Sequence, residues 1–180
     1  MELEIDRRSA EARFRTVFAH LGAVTAYARR RGSRDADALA ADVMTVAWRR
    51  LADLPAGDPL PWLYGTARNL VLAERRLSPL AALTSMREPE RVASAPEPHE
   101  IDPDLARALR SLSELDREAL LLIAWEDLTP SQAARALGIN PAAFRVRLLR
   151  ARRRLRASLD RPATGCPPPA ALTQLDVEGT

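Results

Sequence analysis

Between Thr129 and Arg156 the apolar and polar positions follow two helices joined by a tight turn. Thr129 suits an N-cap, Pro130 the first helical position, and Gln132 the third position of a capping box. Gly138 supplies a left-handed residue to end that helix, and Asn140-Pro141 restarts one with the same cap-then-proline chemistry. Two helices around a three-residue turn containing glycine are the helix-turn-helix pattern. At 100° per residue, Phe144, Leu148, Ala151 and Leu155 share the inner side of the second helix. The opposite side carries Val146, Leu149, Arg150 and Arg153, flanked by Arg145 and Arg147. Exposed Val and Leu among arginines are odd on a solvated face but suit a major groove. There, Arg pairs with guanine or phosphate and apolar groups touch thymine methyls. An ordinary amphipathic helix with a charged face, or a dimer contact, is the alternative.

The helical period recurs upstream. Phe14, Val17, Phe18, Leu21, Val24 and Ala28 predict one helix ending at Arg29-Arg30-Arg31-Gly32. Leu39, Val43, Ala47 and Leu51 predict a second over 36–51, and Trp48 is expected in its core. Three prolines and a glycine make 53–61 a loop. A third helix is predicted over 61–77, with Trp62, Thr66, Leu70 and Ala73 on one side. From 78 to 101 proline recurs, periodicity fades and charge turns acidic, as in an extended linker. Leu105, Leu109 and Leu112 then mark a short helix, and 113–125 another, with Ser113 and Asp116 in capping-box spacing. The final stretch, with Pro162 and Pro167-Pro168-Pro169, reads as a disordered tail. The expected fold is all-α, with no strand pattern and no internal repeat.

Composition narrows the function classes. A chain of 180 residues holds one mid-sized or two small domains. No apolar run approaches the roughly 20 residues of a membrane span, and MELEIDRRSAEARF lacks a signal-peptide core. A cytoplasmic protein with no membrane partner is expected. The single Cys166 and two histidines leave no zinc set, so no metal or cofactor is expected. No nucleophile–base set or phosphate loop points to an enzyme. All 27 basic residues are arginine, which suits bidentate contacts, though a GC-rich genome explains the bias equally well. Position says more: seven arginines fall between 145 and 156, the local concentration of a nucleic-acid binder.

Three segments, in order, resemble the extracytoplasmic-function group of bacterial RNA polymerase sigma factors over about residues 11–157. AYARRRGSRDADALAADVMTVAWRRL (Ala26–Leu51) is similar to the family's polymerase-binding region. PLPWLYGTARNLVLAERR (Pro59–Arg76) resembles its WLY…ARN signature. LRSLSELDREALLLIAWEDLTPSQAARALGINPAAFRVRLLRARRRL (Leu109–Leu155) resembles its terminal promoter-binding domain nearly without gaps, in wording similar to versions from high-GC actinobacteria.

The resemblance implies two small helical domains: a region 2-like unit over 11–77 and a region 4-like unit over 102–157. The acidic linker would span 78–101, and the Pro-rich tail 158–180. The first unit would bind core RNA polymerase through Asp37, Asp42, Arg49 and Arg50, whose alternative is a solvated face. It would also handle the −10 element of promoter DNA by capturing an extruded base. Asn69 would bond the base, with Arg68, Arg75 and Arg76 on backbone phosphates. Trp62 would stack at the junction or pack the small domain. The second unit would read the −35 element through Arg145 and Arg150, with Val146 and Leu149 as apolar readers. Arg147, Arg153 and Thr129 would hold phosphates. Arg152, Arg154 and Arg156 would be solvated or nonspecific. The linker would thread toward the catalytic channel, or act as a passive tether. The family often has an anti-sigma factor as a further partner.

Two departures stand out. The family's polymerase-binding helix reads close to DAEDLVQETF, whereas here Ala38 and Ala41 replace an acid and a glutamine. After Asn69 related chains often carry Asn-His; this one has Ala73-Glu74, and Glu74 beside DNA would repel phosphate. A helix-turn-helix regulator that never enters polymerase is the competing function, and an adaptor held by a regulatory protein a third.

Overall fold

The computed structural model describes residues 2–77 and 102–161, and every helix or turn among them belongs to an all-α fold. The predicted linker 78–101 and the tail from 162 lie outside the described residues. No described helix is long and apolar enough to cross a membrane.

Helices α1 (Glu2–Phe18) and α2 (Leu21–Arg30) stand where the periodicity predicts one helix. The backbone tightens at the break, with His20 N–H donating to the Val17 carbonyl at 3.1 Å before Val24 N–H resumes to His20 at 3.0 Å. The bonding runs on almost without interruption, so the hydrophobic period does too. Gly32, in the left-handed region at φ 73°, turns the chain after α2. Asp35 then caps α3 (Ala36–Arg49), its carboxylate accepting from Ala38 N–H at 2.8 Å. Leu39, Ala40, Val43, Met44 and Ala47 bury the inner face of α3. Trp48, expected in that core, lies one residue round the helix from Ala47 and is 45% exposed, with Phe14 edge-on at 5.0 Å.

A short 3-10 turn (Leu51–Asp53) leads to α4 (Leu60–Leu77), whose first residue is held by the Asp58 carboxylate at 3.1 Å. Leu63, Tyr64, Ala67 and Val71 are buried, whereas Trp62, Thr66, Leu70 and Ala73, predicted to share its inner side, are half-buried. The rotation follows from packing: α4 is gripped by α2 and α3 on one side and by the second half of the chain on another.

That second half comprises α5 (Pro103–Arg110), α6 (Glu114–Ala124), α7 (Pro130–Leu137) and α8 (Pro141–Leu159). The capping box of α7 forms as predicted: Thr129 Oγ1 accepts from Gln132 N–H at 3.3 Å, and Gln132 Oε1 accepts from Thr129 N–H at 2.8 Å. Gly138 ends α7 in the left-handed region, and Asn140 caps α8 through Ala142 N–H at 2.7 Å. Ser113 caps α6 by accepting from Asp116 N–H. The Asp116 carboxylate, itself 2% exposed, instead ties down α8 by accepting from Arg147 at 2.9 Å and from Arg154. Ser158 and Leu159, assigned to the tail from sequence, are helical, and Asp160 caps the end of α8, its N–H donating to the Arg156 carbonyl at 2.9 Å.

The two halves share one core rather than two. Gly65 on α4 meets Ala136 on α7 so closely that a Cβ at position 65 would sit 2.8 Å from the Ala136 carbonyl oxygen. Beside this contact lies a buried ionic cluster. Arg31 donates to Glu118 through Nε at 2.8 Å and through Nη2 at 3.1 Å, and approaches Glu126 at 3.5 Å. Tyr27 donates its hydroxyl to Glu118 at 2.7 Å and stacks on Tyr64 with centroids 4.8 Å apart. The Arg31 guanidinium lies 4.5 Å from the Tyr27 ring centroid. Arg30 reaches Glu126 at 2.5 Å, and Gln132 bridges to Asp58 at 2.7 Å. The Arg31 guanidinium holds its proton more tightly than usual: burial opposes the charge, but Glu118, Tyr27 and Glu126 together outweigh burial.

Burial, followed by the charge on Glu126, pushes the Tyr64 hydroxyl up to about 12, and burial and Glu118 raise Tyr27 further. Both folded-state values exceed the unfolded one near 10. The neutral tyrosines therefore contribute full stability below pH 10, and the Tyr64 contribution fades as pH rises toward about 12. Alkaline titration followed by tyrosinate absorbance and helical circular dichroism should show loss of structure accompanying ionisation in that window. Titration of all tyrosine at the free value with the fold intact would contradict it.

Asp116→Ala should destabilise the protein by about 1–3 kcal/mol, because Arg147 loses its buried acceptor. Urea denaturation should show a lower midpoint at unchanged slope.

Candidate nucleic-acid interface

The outward face of α8 is set by its caps and by its buried stripe. Phe144 and Ala151 are fully buried and Leu148 is 6% exposed, so the residues half a turn away must face solvent. Val146 is 48% exposed and Leu149 51%, and Arg145, Arg150 and Arg153 surround them. These three arginines have no carboxylate within ion-pair distance among the described residues. A row of guanidinium groups interleaved with two exposed aliphatic side chains has the donors and the apolar surface that base edges and thymine methyls require. Arg147 is placed differently, half-buried and bonded to Asp116. Thr129 is exposed at the start of α7, its hydroxyl engaged in the capping box.

The candidates on α4 divide in two. Asn69 and Arg76 are exposed, and no described residue bonds the Asn69 amide. Arg68, half-buried, and Arg75, exposed, line a small cavity of about 20 Å³ with Tyr27, Arg31, Glu114 and Glu118. Arg75 pairs with Glu114 at 2.9 Å and donates to the Arg31 carbonyl at 2.6 Å. Trp62 is half-buried against the core, with the Arg50 guanidinium 6.0 Å from its ring. Glu74, feared as a phosphate repellent, accepts from Ser33 at 3.1 Å in the turn after α2.

On α3, Asp37, Asp42 and Arg49 are exposed, and so is Arg50 just beyond its end. Asp37 lies 3.9 Å from Arg29, and Arg50 pairs with Asp53 at 3.0 Å. Trp48 and Phe18, 45% and 48% exposed, extend this surface with an apolar patch shared with Phe14. Sequence reasoning passed over Tyr27, Gly65, Glu118 and Glu126, and it saw in Asp116 a capping position rather than a buried ion-pair partner. The Arg29-Arg30-Arg31 run read as a helix stop. Only Glu118, three residues before Leu121 and four before Leu122 on one helical face, carried a signal of burial.

Residues 103–155 match the family model described as Sigma-70, region 4. No curated protein sequence matches the chain. Among solved structures, the chain is similar to the sigma factor RpoE from Bartonella quintana, seen in complex with the anti-sigma factor NepR. The identity is 27%, the TM-score 0.57, and the match covers 81% of this chain and 95% of that one. It is also similar to CnrH in complex with the cytosolic domain of CnrY, at 27% identity and a TM-score of 0.56, over 82% of this chain and 87% of that one. The capped helix-turn-helix thus lies within the segment that matches the sigma-70 region 4 family, set in a helical fold similar over most of the chain to that of a solved sigma factor.

Proposed function

We propose that this chain is a specificity subunit of RNA polymerase, which binds the core enzyme, reads the −10 and −35 promoter elements and opens the duplex. The observation that carries this reading is the outward face of α8, where Arg145, Val146, Leu149, Arg150 and Arg153 stand free in a helix-turn-helix of the sigma-70 region 4 family. Arg145 and Arg150 read base edges of the −35 element, and Val146 and Leu149 touch thymine methyls. Arg153 holds phosphate and orients the helix. Thr129 places the start of α7 against the backbone. Arg147 acts through Asp116, fixing the tilt of α8, and its phosphate contact is secondary.

At the −10 element, the exposed amide of Asn69 captures a base extruded from the duplex. Unstacking costs on the order of a few kcal/mol, which the contacts to the captured base must offset. Arg68, Arg75 and Arg76 steady the strand, and Trp62 supports the junction. Polymerase docks on Asp37, Asp42, Arg49 and Arg50, with Trp48 adding apolar area that compensates for Ala38 and Ala41. RpoE was solved with an anti-sigma factor, and a partner of that kind is proposed here too. The working place is the cytoplasm, where promoter DNA is found, and the WEDLTPSQAARALG wording favours the actinobacterial type. The linker 78–101 tethers the two units. The chain supplies no catalytic chemistry of its own.

Run-off transcription with core polymerase on a promoter library tests the whole reading: specific initiation is expected. Dimeric binding to a palindromic operator with no effect on core polymerase would make the chain a helix-turn-helix regulator instead. Arg150→Ala should weaken −35 recognition by about 1–3 kcal/mol and relax preference at one base pair. Equal weakening on every sequence would reduce Arg150 to a phosphate contact. Asn69→Ala should impair opening of duplex promoters while sparing −35 binding and initiation from premelted templates. An equal loss on both templates would rule out base capture.

A further inference from the structure

The arginines of α8 do not all stand in the same surroundings. Seven fall between 145 and 156, and two of the seven end on one carboxylate. Asp116 Oδ1 accepts from Arg147 Nη1 at 2.9 Å, and Asp116 Oδ2 accepts from Arg154 Nη1. Among the described residues, no other carboxylate lies within ion-pair distance of an arginine in 145–156. Arg147 and Arg154 stand two turns apart, about 20° from each other around the helix. Ala151 lies between them, fully buried and too small to hold α6 away. The Asp116 side chain is 3% exposed, whereas those of Arg147 and Arg154 are 35% and 62% exposed. The anion is sealed and its two cations are not. Ser113 Oγ accepts from the Asp116 N–H at 3.2 Å, so the backbone of Asp116 is fixed independently of its carboxylate.

This asymmetry bears on specificity. A cation on a phosphate strengthens binding to every sequence alike, whereas a base contact strengthens binding to one. Arg147 and Arg154 could turn to phosphate only by leaving the Asp116 charge unpaired in the interior, which burial makes costly. We propose that Asp116 is a positioning residue that sets specificity: it withholds two of the seven cations of α8 from DNA phosphates and so restrains binding to unrelated duplex. The proposal rests on the reading of α8 as the helix that enters the −35 element, and it explains why the phosphate contact of Arg147 is secondary. On that element, Arg145 and Arg150 fix the register of the helix through base edges. On an unrelated sequence nothing fixes the register, and two further mobile cations would let α8 settle wherever phosphates are nearest. Withholding them therefore weakens the wrong complexes more than the right one.

The test follows binding of the full chain, without polymerase, to a short fluorescent duplex of random sequence, by anisotropy between about 50 and 200 mM salt. Asp116→Asn keeps the shape of the side chain and removes its charge. It should steepen the fall of log affinity against log salt by about 0.9 for each freed arginine, or about 1.8 in all. Any gain in affinity should thus be about tenfold larger at the low end of that range than at the high end. Preference for a duplex carrying the −35 element recovered from the promoter library should fall. Adding Arg147→Gln and Arg154→Gln should return the slope to that of the unaltered chain. A merely structural Asp116 would weaken both duplexes at unchanged slope. That result, or a steepening that survives loss of both arginines, would overturn the proposal. Should Asp116→Asn lose helix content, the native carboxylate still permits the test. Arg154→Gln should then leave the slope unchanged, while Arg153→Gln flattens it by about 0.9; equal flattening by the two would refute withholding. Run-off transcription by the unaltered chain separates this outcome from the fate of the parent reading. Initiation without steepening refutes the role of Asp116 alone. Steepening without initiation assigns Asp116 the same role in a helix-turn-helix regulator, and a chain that binds no duplex at any salt removes both readings.

Discussion

The contact of Arg31 with Glu118 and Glu126 governs the arrangement of everything else. A guanidinium 7% exposed and carboxylates nearly as buried face each other where water cannot compensate them. Removing one partner strands the other charge in the interior, at a cost of several kcal/mol. The same burial makes the cluster a poor source of net stability when whole, since desolvation cancels most of the attraction. Its effect is therefore geometric. It admits one register between α2, α4 and α6, and the tyrosine pair and the Gly65 contact complete that register. The Arg31 Nη1 atom has no hydrogen-bond partner, and it is the least satisfied point of the cluster.

A chain held together in this way differs from one held by apolar packing. Apolar burial acts without direction, whereas buried ion pairs hold only at defined distances and angles. Phe144, Leu148 and Ala151 within the second half, and Val43, Ala47 and Leu63 within the first, bind each half internally by the other mechanism. The protein thus combines one continuous apolar core with a polar cluster buried between its two halves.

Within the second half, the charged residues of α8 divide by what lies beneath them. Arg147 and Arg154 turn toward Asp116, while Arg145, Arg150 and Arg153 face outward. A helix with seven arginines in twelve positions would otherwise repel itself and present its cations in no fixed direction. The buried carboxylate of Asp116 neutralises two of them and fixes the orientation of the others.

Local chemistry was fully legible in the sequence where it acts within a few residues. The Thr129–Gln132 box, the left-handed Gly138, the Asn140 cap and the inner stripe Phe144–Leu148–Ala151 all depend on i to i+4 relations, which order along the chain specifies directly. The outward Val146 and Leu149 follow from the same geometry. Periodicity was insufficient where a helix has more than one neighbour. Trp48 was placed inside by type although Ala47 occupies the core position, and the buried side of α4 is turned toward two partners at once. The pairing of Arg31 with Glu118, 87 residues away, has no local signature, because a charged residue looks the same in sequence whether it meets water or a buried opposite charge. The elements and the outward arginine face of α8 were thus determined by the sequence read locally. Which charges are spent holding the halves together, and which remain for a ligand, was decided only by tertiary contact between distant segments.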